Sequence, residues 1–367
     1  MKKTLLSLLI LLIHQVSAQT DKNATLLTKN LYKNLKRQSQ KGVMFGQQDA
    51  LAYGLNQDKS RWIGEKERCD IKTVTGDYPA VVGYDLGKIE HDSIQNLDGV
   101  PFQLIRKNIQ ETYSRGGVNT ISWHLDNPCD PKKSSWDKAD STIKHLFFAK
   151  KTLQTYSLWL DKVAAFSQTL RSKNGELIPI IFRPFHENTG SWFWWGAEHC
   201  SPEEYKRMWR FTVEYLRDKK GVHNILYAYS PDRFTSKQHY LDRFPGDDLV
   251  DVLGFDMYHR NAPQSNDTFK KEMLRMVGEL KEIAVKKKKI YAITEIGLEK
   301  VTEADWWTNI LLPIIHNSGL SYVLVWRNGR PDHFYAPYKG QISESDFVKF
   351  YQLPETIFSK DLKKLYK

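Results

Sequence analysis

Eight short apolar, β-branched runs recur along the chain and constrain its fold more than any other feature. They lie near residues 43–45, 80–84, 118–123, 177–182, 224–229, 250–255, 290–294 and 322–326. A strand that is hydrophobic at nearly every position is buried on both faces, which is the habit of a parallel sheet covered by helices. Segments with helical periodicity alternate with these runs. Residues 102–113 place Leu104, Ile105 and Ile109 on one face, and 153–170 do the same with Leu160, Val163 and Phe166. Further helical segments are expected at 203–216, 269–285, 305–316 and 346–357. Eight strand–helix repeats in one chain predict an α/β fold of the (β/α)₈ barrel type, with a single catalytic-sized domain over residues 41–367. No Gly-x-Gly-x-x-Gly follows the first strand and no Walker-type loop occurs anywhere, which argues against a nucleotide-binding open sheet.

In such a barrel the functional face lies at the carboxyl ends of the strands. Reading each expected strand end in turn gives Gln47-Gln48-Asp49, Asp85, Trp123-His124-Leu125-Asp126, His186-Glu187, Ser230-Pro231-Asp232, Asp256-Met257-Tyr258-His259, Glu295 and Trp326-Arg327. Each end offers groups that titrate, hydrogen-bond or stack. One polar strand end is routine, whereas eight converging on one rim describe a site. The stretch from Asp126 to about Lys151, after the third strand, is long for a connection and contains Trp136. It is expected to shape one end of a cleft, with an exposed helical decoration of no functional role as the alternative.

The N-terminus bears on compartment. Lys2 and Lys3 precede an apolar run from about Leu5 to Ile13, and Val16-Ser17-Ala18 offers a small-residue cleavage site. Residues 1–18 therefore read as a signal peptide, too short to span a membrane, followed by a linker over 19–40. The expectation is an exported protein, periplasmic rather than fully secreted, with no integral membrane segment after cleavage. Three cysteines, Cys69, Cys129 and Cys200, allow at most one internal pair and match no zinc spacing. The formal charge of +11 is spread widely, and its densest run, Lys286 to Lys289, closes an expected helix. That reading favours solubility, with attraction to an anionic envelope as an addition, over nucleic-acid binding.

Two glutamates at strand ends, Glu187 and Glu295, stand 108 residues apart in sequence yet face one another across the expected barrel mouth. Retaining glycoside hydrolysis uses such a pair, one carboxyl protonated to serve the leaving oxygen and the other ionised to attack carbon. Glu187 lies beside Trp192, Phe193, Trp194 and Trp195, where desolvation raises a carboxyl pKa. Glu295 is placed to accept hydrogen bonds from Tyr258 and nearby arginines. Structural carboxylates are the competing reading of the pair alone.

The run from Phe182 to Gly196, FRPFHENTGSWFWWG, resembles the signature of glycoside hydrolase family 26, a family dominated by β-1,4-mannanases within a clan of retaining (β/α)₈ hydrolases. The likeness extends to Ser122-Trp123-His124-Leu125-Asp126-Asn127-Pro128, Gly254-Phe255-Asp256-Met257-Tyr258, Thr294-Glu295-Ile296-Gly297 and Trp326-Arg327. It implies Glu187 as acid/base and Glu295 as nucleophile. It also implies His186 beside the sugar at the cleaved bond, Tyr258 on the nucleophile, Trp192 and Trp326 as aromatic walls, and His124, Asp256 and Arg327 on sugar hydroxyls. Trp194 reads as packing, and Asp256 has a structural alternative as partner to an arginine.

The activity so implied is endo-β-1,4-mannanase action on mannan, glucomannan or galactomannan, by a monomer, with no metal and no organic cofactor. The alternatives are release of mannobiose from chain ends, cleavage of mixed-linkage β-glucan or β-1,3-xylan, and a non-catalytic glycan-binding barrel.

Overall fold

The computed structural model describes residues 19–362 and 364–367; the expected signal peptide lies outside the described residues. Eight strands, β1 (Val43–Gln48), β2 (Val81–Asp85), β3 (Val118–Trp123), β4 (Ile180–Pro184), β5 (Ile225–Tyr229), β6 (Val252–His259), β7 (Ile290–Leu298) and β8 (Tyr322–Val325), pair in parallel with their sequence neighbours. β8 pairs with β1, Phe45 opposite Val323, so the sheet closes on itself. In chain order the helices are α1 (Leu26–Gln38), α2 (Asp70–Thr75), α3 (Phe102–Ser114), α4 (Thr142–Phe148), α5 (Lys150–Thr169), α6 (Pro202–Glu214), α7 (Lys237–Asp242), α8 (Asn266–Lys287), α9 (Leu312–Ile315) and α10 (Glu344–Tyr351). Every strand-to-strand connection thus carries a helix, and the fold is the (β/α)₈ barrel that the alternation predicts.

The two-residue period of each strand sorts its side chains into two cores. Val82 and Tyr84 of β2, Ile121 and Trp123 of β3 and Ile180 and Phe182 of β4 join Ile105 and Ile109 of α3, Leu160 of α5 and Trp209 of α6 in the layer between sheet and helices. The intervening residues Met44, Val81, Val118, Ile181, Leu226, Val252, Ile290 and Tyr322 form a second cluster inside the barrel. Towards the strand ends the interior turns polar, with Thr120, Ser122, Arg183, Ser230, Asp256 and Thr294 all buried. This interior is crowded. A Cβ on Gly83 would come within 2.0 Å of Gln48 Oε1, and one on Gly254 within 2.6 Å of Thr294 Oγ1.

The segment read as a linker over 19–40 differs from expectation, since α1 occupies most of it. Thr25 Oγ1 accepts from the backbone N–H of Thr28 at 3.2 Å, an N-cap that satisfies one of the free donors of the first turn. Leu31, Tyr32 and Leu35 then recur at helical spacing and complete the apolar cluster of the barrel interior from below. Asn34 Nδ2 donates to the carbonyls of Leu365 and Lys367, each at 3.0 Å, tying the end of the chain to the same helix. α1 is therefore the floor of the barrel. The segment expected to be helical over 305–316 begins as a π-turn, Trp307–Leu311, that runs into α9, and the expected helix over 346–357 ends at Tyr351, with Thr356–Ile357 pairing along β1.

All three cysteines are free, and Cys200 is buried, with burial pushing its thiol pKa up. Among the described residues no helix is long and apolar enough to cross a membrane.

A side chain buried in the floor has a measurable cost of removal that a linker residue lacks. Leu35→Ala is expected to destabilise the protein by about 2–5 kcal/mol in denaturant titration, as for other fully buried leucines. A change within experimental error would mean that α1 does not pack as part of the barrel.

Candidate active site

Two strand ends bring the candidate carboxylates together. β4 ends at Pro184, after which Phe185 (φ 51°) and Glu187 (φ 55°) both take left-handed backbone conformations. Such angles are costly for residues with a Cβ and persist only where the surroundings enforce them. Here the backbone N–H of Glu187 donates to Ser230 O at 2.7 Å, and the Tyr205 hydroxyl donates to Phe185 O at 3.0 Å. The double reversal drops Phe185 into the outer core and turns His186 and Glu187 over the barrel mouth.

β7 supplies the second carboxylate through a bulge. Phe255 pairs with Ile293 but Asp256 pairs with Glu295, and Val323 and Val325 pair with Ile293 and Ile296. One residue too many has been inserted between Ile293 and Ile296, which both face the helices. Thr294 and Glu295 consequently both point inwards, a local re-aiming that bulges commonly provide near functional sites.

The result is a buried cluster around Arg183. Its Nη1 donates to Asp256 Oδ2 at 2.8 Å and to Ser230 Oγ at 3.0 Å, and its Nη2 donates to Glu295 Oε1. The Tyr258 hydroxyl donates to Glu295 Oε2 at 2.6 Å. Trp192 Nε1–H donates to Glu187 Oε2 at 2.6 Å. One carboxylate oxygen each of Glu187, Asp256 and Glu295 lie within 4.8 Å of one another. A guanidinium already joins two of the three, so this donor set is that of an ion-pair network and leaves a cation to compete with Arg183. Burial, then the charges of Glu295, Asp256 and Asp232, hold the Glu187 carboxyl well above the ordinary glutamate range. Asp232 is itself pushed up to about 6, chiefly by burial.

On the other side of the mouth His124 Nδ1 lies 2.7 Å from Asp85 Oδ2, and its Nε2 is 3.2 Å from His186 Nε2. Burial alone would lower the pKa of His124, but the Asp85 carboxylate more than offsets it and raises the value. Burial, and then the charges of Arg183 and His124, push His186 well down, so His186 is the neutral member of the pair. Trp326 packs near His124 with ring centroids 6.3 Å apart and remains half-buried, as does Trp192. Arg327 pairs with Asp98 and lies 3.4 Å from the Tyr53 hydroxyl, which donates to Asp49 at 2.7 Å.

The rim expected from the sequence is thus assembled: His124, His186, Glu187, Trp192, Tyr258, Glu295, Trp326 and Arg327 stand around one opening. Asp256 is the exception. It is fully buried, with Oδ2 on Arg183 and Oδ1 on Thr294 Oγ1 at 2.7 Å, so it has no oxygen open to a sugar hydroxyl. Its effect on the rim passes through Arg183, the structural alternative noted above. Trp194 and Trp195 are buried, their ring N–H groups donating to Leu125 O and His186 O, so both are packing that braces the loop. Two participants were harder to see. Arg183 marks only the point where an apolar run breaks, and its strand-interior position was the available signal. Trp136, on the long connection after β3, is exposed yet stacks 6.1 Å from His124 at an interplanar angle of 17° and lies 4.6 Å from Phe193.

Comparison with known proteins agrees with this geometry. A mannan endo-1,4-β-mannosidase of Bifidobacterium adolescentis is 35% identical over 355 residues, which is 90% of this chain and 34% of that protein. One from Bacillus subtilis is 27% identical, over 69% of this chain and 72% of its own length. The chain therefore spans about a third of the first of these relatives. Among solved structures, a family 26 β-mannanase from Bacteroides ovatus superposes with a TM-score of 0.89 at 45% identity, covering 94% of this chain and 98% of that one. An endo-β-1,4-mannanase from Cellulomonas fimi gives 0.85 at 33% identity, covering 95% and 79%. The sequence profile of Glycosyl hydrolase family 26 matches residues 20–307, most of the described barrel, and the chain belongs to that family.

Proposed function

We propose that the protein hydrolyses β-1,4-mannosidic bonds within mannan, glucomannan or galactomannan, with net retention at the anomeric carbon. The observation that carries this reading is the approach of Glu187 and Glu295 to within 4.8 Å on unlike partners. Retaining enzymes hold their two carboxyl groups about 5–5.5 Å apart, whereas inversion needs a wider gap to admit water between them. The names of the relatives from Bifidobacterium and Bacillus support mannan as the polymer and internal cleavage as the mode.

Glu187 is the acid/base. Among the described residues its carboxyl has one hydrogen bond, from Trp192, which leaves the other oxygen for the glycosidic oxygen, and burial with the surrounding negative charge keeps its proton in place until that oxygen arrives. Glu295 is the nucleophile, oriented by Tyr258 and Arg183. In the first step an oxygen of Glu295 bonds to the anomeric carbon as the bond to the leaving sugar breaks, and the Glu187 proton passes to that sugar's oxygen. In the second, water gives a proton to the Glu187 carboxylate and attacks the same carbon, releasing Glu295.

His124, His186 and Arg327 contact sugar hydroxyls, and Trp192 and Trp326 offer ring faces to the pyranose. Such stacking suits a polymer whose rings carry apolar C–H faces. The signal-peptide reading places this activity outside the cytoplasm, in the periplasm, and the active unit is one chain.

Two experiments test the assignment. Glu295→Ala should lose more than about a thousandfold in turnover of an aryl β-mannobioside, and azide should restore turnover as a glycosyl azide of inverted configuration. Undiminished activity in that variant ends the proposal. The second reads the coupling between the carboxyls. Because Glu187 must carry a proton to act, activity should fall as pH rises through its elevated pKa. Glu295→Gln removes the largest electrostatic contribution to that elevation, so the carbon-13 NMR midpoint of the Glu187 carboxyl should move down while burial keeps it above the ordinary glutamate value. An unmoved midpoint would separate the two groups.

A further inference from the structure

Twelve of the chain's 54 lysines and arginines, and none of its 43 acidic residues, fall in three short stretches, 26–41, 283–291 and 362–367. The other 42 cations face 43 carboxylates, so the formal excess of +11 originates entirely in these stretches. They are remote in sequence and the fold gathers their described residues at one end. The first stretch is α1 and its exit, and the second is the last turn of α8 with the chain leading into β7. The Tyr32 hydroxyl donates to Lys288 O at 3.2 Å, and the Lys36 ammonium donates to the same carbonyl. Asn34 Nδ2 reaches Lys364 O at 3.2 Å and Lys367 O at 3.0 Å, which brings in the third stretch.

The acidic groups near this end are already held. Asp247 takes Lys287 at 3.1 Å, Asp248 takes Arg210 at 3.1 Å, Asp21 lies 2.8 Å from His223, Glu355 lies 2.7 Å from His316, and Asp251 is buried, bonded to Thr20 and to the backbone of Tyr227. Among the described residues Lys29, Lys33, Arg37, Lys41, Lys286 and Lys288 enter no ion pair. Tyr32, Lys33, Lys36, Arg37 and Gln40 line a shallow depression between them. Burial, followed by the neighbouring charge of Lys289, depresses the Lys36 ammonium. Cations packed this closely repel one another, and the fold gains nothing from the repulsion. A complementary partner removes it.

We propose that this floor of the barrel docks on an anionic lipid surface, with the cleft turned outward. The floor lies at the starts of the strands, whereas Glu187 follows the end of β4 and Glu295 lies in the second half of β7, so a bound sheet of headgroups leaves the opening free for a polymer. Lipid is favoured over a nucleic acid because stacking on bases needs exposed rings among the cations, whereas Tyr32 and Tyr366 are buried and Tyr291 is half-buried with its hydroxyl donating to Ser318 O.

The test is co-sedimentation of the full chain with phosphatidylcholine vesicles and with vesicles that also contain phosphatidylglycerol. Binding to the anionic vesicles should be roughly tenfold or more stronger, as expected for several cations near a charged surface. It should fade at about 0.5 M NaCl, where screening is nearly complete over a few ångströms. Lys33→Glu combined with Arg37→Glu and Lys288→Glu should abolish the preference while hydrolysis of soluble mannan is unchanged. Should that variant fold poorly, Lys33→Gln with Arg37→Gln should weaken the preference severalfold. Equal binding to both vesicle types overturns the proposal. So does an unaltered preference in folded variants, displacement by millimolar inorganic phosphate, or tighter binding to single-stranded DNA than to anionic vesicles.

Discussion

Arg183 is the group on which the upper half of this barrel depends. A guanidinium buried among side chains is tolerable only when its charge is matched and its donors are used, because an unpaired charge there is strongly destabilising. Asp256, Ser230 and Glu295 meet that requirement, and Thr294 in turn occupies the second oxygen of Asp256. The network holds β4, β5, β6 and β7 in one register at the mouth. It also leaves the two glutamates in unlike surroundings. Glu295 lies against a permanent positive charge and a phenol, whereas Glu187 has one indole N–H and several negative neighbours. Two residues of the same chemistry thereby meet opposite surroundings, the difference that the proposed division of roles requires, without any difference between their own side chains.

The bulge in β7 is the backbone counterpart of this arrangement. A regular strand would place Thr294 and Glu295 on opposite faces, one with Arg183 and the other against the helices. The inserted residue lets the strand present both to the interior and then resume its outward face at Ile296. Neither the threonine that steadies Asp256 nor the glutamate that meets Arg183 is then lost to the outer layer. The left-handed angles at Phe185 and Glu187 do the corresponding work on β4, where the chain must turn within three residues without losing its buried hydrogen bonds.

Much of this was legible in the sequence because burial on both faces leaves a simple trace. Residues 118–123 match β3 at both ends, and the starts of β1 and β7 are marked by the onset of apolar runs. The strand-end residues followed from where those runs stop, so Glu187 and Glu295 stood out without coordinates. What could not be read has physical reasons. α1 carries Leu31, Tyr32 and Leu35 at helical spacing, but lysine and asparagine fill the positions between them, and the stripe is narrow. The spacing of Ile293 and Ile296 contains the bulge, yet three-residue spacing within a strand has no meaning until neighbours fix the register. Asp256 sits at a strand end like the others, and only its partners show that both its oxygens are taken. Trp136 lies in a connection with no periodicity, so nothing in its surroundings pointed to His124.

The two ends of the molecule therefore carry opposite electrostatic characters, and the barrel keeps them apart. Cations at the floor would lower the Glu187 pKa, and weaken it as a proton donor, if their field reached the mouth. Strands of four to nine residues at about 3.3 Å per residue put roughly 13–30 Å of strand between floor and mouth. Most of the floor cations are exposed, and at physiological salt the Debye length is about 8 Å, so solvent removes most of their influence over that distance. The route through the protein is shorter on screening, but it crosses the inward-facing apolar residues first and then Arg183, whose charge is already held by Asp256 and Glu295. What sets Glu187 is consequently local: its own burial and the three carboxylates beside it. A basic floor and the raised carboxyl of Glu187 can belong to one small barrel because each is governed by neighbours within a few ångströms.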